Sequence, residues 1–202
     1  MSKFIVFEGI DGSGKSTLSK NVFQLFVSRN IPTELFREPT NYDTGLRLRD
    51  FLKGKIRLNP DEQMKLFISD RRESVKRNIQ PALSLGKIVL LDRYYFSTAA
   101  YQASEENSAQ SILDLNLKEN FPRPNKIFFL NINPESAMKR IQLNRNEIDV
   151  FENLEKLTSI RNNYLSILPV DTIFLDALKS EEELMRDVLE NLEMNSDYES
   201  RN

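Results

Sequence analysis

The chain has 202 residues, 40% of them apolar and 29% charged, enough for one α/β domain with a sizeable core and too few for two. It contains no cysteine and no histidine, which excludes disulfides, thiolate zinc sites, cysteine nucleophiles and Ser-His-Asp triads. The formal net charge is −2, and residues 181–202 alone hold eight acids against two bases, so the body before them is mildly basic. That balance argues against a nucleic-acid partner and suits a small anionic ligand.

In chain order, the apolar run from Phe4 to Phe7, ending in Glu8-Gly9, predicts a short buried strand. A helix is expected from about Lys15 to Arg29, with Leu18, Val22, Leu25 and Phe26 on one face. Thr33 to Phe36 reads as a second strand and Leu46 to Leu52 as helical. Asp61 to Leu85 predicts a long helix with Met64, Phe67, Ile68, Val75 and Ile79 inward, bent by Pro81 and ended by Gly86. Lys87–Leu91 and Ile127–Leu130 are buried strands, and Pro134 opens a helix at its first turn. Residues 143–150 read as a polar loop, followed by a helix from about Phe151 to Leu168 and a last strand from Thr172 to Leu175. Ser180, with Glu183 three residues on, caps a final acidic helix whose tail is expected to fray.

Five strands alternating with helices predict a parallel five-stranded sheet covered on both faces, in a single domain spanning 1–202. Ligands of such sheets sit at the carboxyl ends of the strands. Three informative segments lie just there: Gly9–Ser16, Arg37–Thr40 and Asp92–Tyr95. No run approaches the ~18 apolar residues that span a bilayer, and Met1-Ser2-Lys3 enters the first strand without a long apolar leader. A cytoplasmic protein without a membrane partner is expected.

Gly9-Ile10-Asp11-Gly12-Ser13-Gly14-Lys15-Ser16, followed by Thr17, fits G-x-x-x-x-G-K-[ST] between a strand and an amphipathic helix. Its glycines let backbone N–H groups curl around a β-phosphate, and Lys15 neutralises β/γ oxygens. The Ser16 hydroxyl is placed to ligate Mg²⁺, and the helix N-terminus adds its positive dipole end. The fold type is therefore that of the P-loop nucleoside triphosphate hydrolases. Asp92 at the end of Lys87–Leu91 is placed to hold the same metal, and the neighbouring Arg93 to bridge donor and acceptor phosphates. A switch GTPase is rejected, because the only Asn-Lys-x-Asp candidate, Asn125-Lys126-Ile127-Phe128, ends in a phenylalanine that cannot accept hydrogen bonds from guanine.

FEGIDGSGKST at 7–17, REPT at 37–40, LFISDRRE at 66–73, DRYYFSTAAYQ at 92–102 and Asp149-x-Phe151-Glu152 together resemble the thymidylate kinase family, in its order and approximate spacing. The resemblance implies transfer of a phosphoryl group from ATP-Mg²⁺ to dTMP, in a homodimer. It assigns Arg37, Arg49 and Arg93 to an acceptor anion site, Phe67 to stacking on thymine and Arg71 to a base carbonyl. Ser97, Tyr101 and Gln102 would read the base edge and sugar, with Tyr101 crowding the 2′ position and Asp11 near the sugar 3′-hydroxyl. A kinase for another monophosphate or a deoxynucleoside, or a nucleotide-binding regulator without turnover, are the alternatives. The chain departs from the family pattern at three places. Thr40-Asn41 follows REP where Gly-Gly is usual, Val150 follows Asp149 where an arginine is usual, and Gly12 occupies a position where some members carry arginine. The lid is expected at about 143–152, and the cation that offsets γ-phosphate charge must then come from elsewhere than position 150. Arg145 is the first candidate and Arg140 the second.

Overall fold

The computed structural model describes residues 3–144 and 153–194. Its five-stranded sheet is all-parallel, in the order β2-β3-β1-β4-β5. The central strand β1 (Lys3–Glu8) lies between β3 (Ile88–Asp92) and β4 (Lys126–Asn131), with β2 (Thr33–Arg37) and β5 (Ile173–Asp176) at the edges. Phe4, Ile5, Val6 and Phe7 are at most 1% exposed, which is why this strand reads as a continuous apolar run rather than an alternating one: both of its faces are covered.

The helices follow the expected alternation. α1 (Lys15–Ser28) buries Leu18, Val22 and Phe26, four residues apart along one stripe, while Leu25 is half-buried against the same core. α2 (Asp43–Leu52) starts three residues earlier than Leu46. α3 (Pro60–Ser74) begins with a capping box between Asn59 and Glu62. The bend expected at Pro81 is a π-helical turn, Val75–Ile79, leading into α4 (Gln80–Ser84). Pro81 has no N–H for the carbonyl four residues back, and its ring would collide with that carbonyl. The widened turn, in which Gln80 N–H donates to Val75 O, relieves both just before the ring. At the other end Gly86 has φ +77°, with Gly86 N–H donating to Leu83 O and Lys87 N–H to Ala82 O, the paired bonds of a Schellman stop.

Two helices between β3 and β4 were not expected from the sequence: α5 (Tyr95–Gln102) and α6 (Ala109–Leu117). Tyr95 to Ala100 are all buried, so α5 shows no polar face and no helical period. α7 (Pro134–Asn144) extends through positions 143 and 144, shortening the expected polar loop at its start. α8 (Leu154–Ile167) and α9 (Glu181–Asn191) follow, α9 with the Ser180–Glu183 capping box in place. Arg145, Asp149, Val150, Phe151, Glu152 and the tail beyond 194 lie outside the described residues.

The strand register sets the site. Phe7 of β1 and Arg37 of β2 both lie level with Asp92 of β3, so the segments leaving these three strands emerge side by side at the carboxyl end of the sheet.

Candidate active site

The loop Gly9–Gly14 leaves β1 and turns into α1 with Ser13 N–H donating to Ile10 O. Gly12 is required twice over. Its φ is +78°, and a Cβ there would lie 2.5 Å from the Ala137 carbonyl oxygen on α7. An arginine at this position is therefore excluded unless α7 moves. Lys15 is 4% exposed, and its ammonium donates to Ile10 O at 3.1 Å and lies 3.8 Å from Asp11. Burial, reinforced by the nearby Arg93 charge, pushes its pKa down to about 8.

Ser16 and Asp92 meet across the strand ends, where the Ser16 hydroxyl donates to Asp92 Oδ2 at 2.5 Å. Arg37 Nε lies 3.5 Å from the same oxygen. Asp92 Oδ1 is buried with no hydrogen-bond partner. A buried carboxylate oxygen beside a serine hydroxyl is an all-oxygen donor set that fits a hard divalent cation. No cluster of three or more acidic, histidine or cysteine side chains able to hold a metal occurs among the described residues. A Mg²⁺ here would therefore draw its remaining ligands from phosphate oxygens and water, as it prefers.

Beside this pair opens a cleft lined by Asp11, Arg37, Phe67, Arg71, Arg93, Ser97, Tyr101 and Gln102, together with Glu38, Pro39 and Asp70. Phe67 is half-buried and faces this cleft rather than joining the core. Gln102 also lines it, and its Nε2 is a buried donor without an acceptor. Arg93 has φ +72°, a left-handed backbone that few non-glycine residues adopt. Its guanidinium pairs with Asp11, donates to Ser97 Oγ at 3.2 Å and to Tyr101 OH at 3.3 Å, and lies over the Tyr101 ring at 4.8 Å. Tyr101 OH in turn donates to Asp11 Oδ2 at 3.1 Å.

Three expected residues are arranged differently from the sequence reading. Arg71 lines the cleft but is only 2% exposed. It donates to Glu38 at 2.9 Å, Asn116 at 2.5 Å and Thr98 at 3.0 Å, because a buried guanidinium is tolerated only when paired. Arg49 is absent from the cleft lining. It donates to Pro39 O at 2.7 Å and lines a neighbouring groove with Lys20, Arg37, Ser16 and Asp92. The Ser97 hydroxyl is committed to the fully buried Glu8, at 2.6 Å.

Thr40 does not line the cleft. Its hydroxyl and backbone N–H both donate to the buried Asp70, at 2.5 and 2.9 Å. Asp70 also accepts from Thr44 at 2.9 Å, so this acid folds the loop that follows Arg37. Arg140 sits on the far side of the phosphate loop, where it donates to Ala177 O at 2.8 Å and lines a second pocket with Gly12, Gly14, Thr17 and Asn21. Glu8, Glu38, Asp70 and Tyr164 were not singled out from the sequence. Glu8, Glu38 and Asp70 do fall inside the family-like segments at 7–17, 37–40 and 66–73, but nothing local to them or to Tyr164 gives their partners.

A strand-loop-helix phosphate cradle, an acid on the adjoining strand and a second pocket facing it across an arginine define a P-loop phosphotransferase. The family model described as "Thymidylate kinase" matches residues 7–188. A "Thymidylate kinase" of Leptospira borgpetersenii is 46% identical over 187 residues, covering 93% of this chain and 91% of the relative. One of Brachyspira hyodysenteriae is 34% identical with the same coverages, and a "Probable thymidylate kinase" of Archaeoglobus fulgidus is 34% identical over 91% of both chains. The chain belongs to the thymidylate kinase family.

Proposed function

We propose that this chain transfers the γ-phosphoryl group of ATP to dTMP, giving dTDP and ADP. The observation that carries the choice of acceptor is Gln102. A buried amide donor without an acceptor, in the same cleft as a half-buried phenylalanine, is a site waiting for a flat ring with a carbonyl edge. Thymine is such a ring: it stacks on Phe67, and its O4–N3 edge can both accept from and donate to the glutamine amide.

In this reading an oxygen of the dTMP phosphate attacks the γ-phosphorus in line, and the bond to the β–γ bridging oxygen breaks as ADP leaves. Asp11 and Tyr101 face the acceptor sugar, and the phenol ring occupies the space a 2′-hydroxyl would need. Arg93, reaching across from the acceptor side to Asp11 of the phosphate loop, bridges the two phosphate groups. Arg37 and Arg49 add positive charge around the acceptor phosphate. Gly9–Thr17 hold the donor phosphates, with Lys15 turning from Ile10 O to their oxygens. Ser16 and Asp92 would hold Mg²⁺, whose charge neutralises the donor's β/γ oxygens. Arg145, with Arg140 as the second candidate, is the proposed cation that offsets the γ-phosphate charge. The acceptor phosphate is already an anion, and no strong general base is required.

We also propose a single domain, a homodimer and a cytoplasmic location. Family membership supports the dimer, which sedimentation of the purified chain would test. No helix among the described residues is long and apolar enough to cross a membrane. The functional reading is tested by coupled ADP release with ATP and a panel of nucleoside monophosphates and deoxynucleosides. Turnover should be highest with dTMP, and a clear preference for another acceptor would overturn the assignment.

A further inference from the structure

Glu8 is the last residue of β1, immediately before the phosphate loop, and it is completely buried. A carboxylate in such a place needs donors, and it has four hydrogen bonds. Its Oε1 accepts from the Tyr94 and Ser97 backbone N–H groups at 2.8 and 3.3 Å. Its Oε2 accepts from the Ser97 hydroxyl at 2.6 Å and the Tyr164 hydroxyl at 2.9 Å. Tyr94 is the N-cap of α5, and its own side chain makes no cap, so Glu8 caps this helix from the neighbouring strand.

Two consequences converge on Arg93. The residue held by Glu8 through its backbone N–H, Tyr94, directly follows the left-handed Arg93, and Arg93 N–H is tied to Phe7 O at 3.1 Å. The turn is thus pinned at both ends by the same strand, where a left-handed non-glycine residue needs outside support. The second consequence runs through Ser97. The Ser97 hydroxyl lies 2.6 Å from Glu8 Oε2 and 2.7 Å from Tyr164 OH, so with its proton on Glu8 one lone pair faces Tyr164 and the other accepts from Arg93 Nη1 at 3.2 Å.

We propose that Glu8 is a positioning residue for phosphoryl transfer: it fixes the backbone turn and the Ser97 acceptor that together aim the Arg93 guanidinium at the acceptor phosphate. The inference rests on the reading of Arg93 given above. It also gives the β1 acid a task unrelated to metal or nucleotide contact, since Glu8 lines none of the pockets described here.

Glu8→Gln is the discriminating change. The amide oxygen can still accept from Tyr94 N–H, but the new NH₂ group points at Ser97 Oγ and competes with Arg93 for its lone pairs. The experiment is a double-mutant cycle on kcat/KM for dTMP, with Glu8→Gln and Arg93→Ala alone and together, and ATP affinity measured in each. Glu8→Gln alone should lower kcat/KM by about tenfold or more with ATP affinity changed less than about twofold, as for a contact felt at the acceptor and transition state. In the Arg93→Ala background the same change should cost less than about twofold, because the group it serves is gone. An equal loss in both backgrounds, or no loss in either, overturns the proposal. If Arg93→Ala itself leaves turnover intact, the Arg93 reading fails and the positioning role falls with it, while dTMP-dependent turnover of the unmodified chain stands independently. If Glu8→Gln does not fold, Tyr164→Phe, which removes the hydroxyl shared by Glu8 and Ser97 and keeps the ring, enters the same cycle: a loss seen only when Arg93 is present supports the proposal, and an equal loss with and without Arg93, or no loss in either, overturns it.

Discussion

Replacing Gln102 by methionine should make the protein more stable and a poorer enzyme at once. The two side chains have similar length and volume, so packing around the site changes little. In the ligand-free protein the Gln102 Nε2 donor is buried and unpartnered, an arrangement that costs ~1–3 kcal/mol of desolvation. Methionine removes that penalty, and ~1 kcal/mol of relief in a domain of this size corresponds to a rise in Tm of ~2–4 °C. With dTMP bound, the same substitution leaves the thymine edge facing a thioether. The loss of a paired hydrogen bond to a buried polar edge should lower kcat/KM for dTMP by ~10- to 100-fold, while ATP affinity is unaffected. Differential scanning calorimetry and steady-state kinetics on the same preparation decide it. Equal loss of stability and activity would show that Gln102 is ordinary packing, and unchanged kcat/KM would show that it does not read the acceptor.

Phe67→Ala should weaken dTMP use by ~1–3 kcal/mol with little loss of Tm, because the ring lies outside the core and is proposed to stack on the base; kcat/KM for dTMP alongside a melting curve checks this. Tyr101→Ala should relax discrimination between dTMP and its ribose counterpart, read as the ratio of the two kcat/KM values in variant and unmodified chain. Gly12→Ala should disturb the loop through both its φ of +78° and the clash with Ala137 O, and ATP affinity should fall at least ~10-fold in a titration of the purified variant. Phe26→Ala, at a fully buried α1 position far from the acceptor cleft, should cost ~3–5 kcal/mol in a denaturant titration and leave KM for dTMP nearly unchanged in the folded fraction.

The parts of the molecule legible in the sequence are those whose signal is local. The phosphate loop, the five strands and the capped ends of α4 and α9 follow from spacing, apolar runs and turn residues within a few positions. α5 was not legible because its buried face goes all the way round from Tyr95 to Ala100, erasing the helical period. Arg71 illustrates the same limit at the site. Its i+4 spacing from Phe67 puts both on one helix face, and both do line the cleft. Its hydrogen bonds, however, are fixed by Glu38, Thr98 and Asn116, which come from three other segments of the chain. The surroundings of Glu8 were not legible for the same reason: its donors come from residues 94, 97 and 164.

The most direct test of the central claim is transfer of label. ATP carrying ³²P in the γ position is incubated with Mg²⁺, dTMP and the purified chain, and the nucleotides are separated. The label should move to dTDP in stoichiometric balance with ADP formed, and Lys15→Ala should reduce the rate by at least ~10²-fold while the variant keeps its fold. Label released as free phosphate at the same rate with and without dTMP, or dTDP formation undiminished in a folded Lys15→Ala variant, would contradict the account.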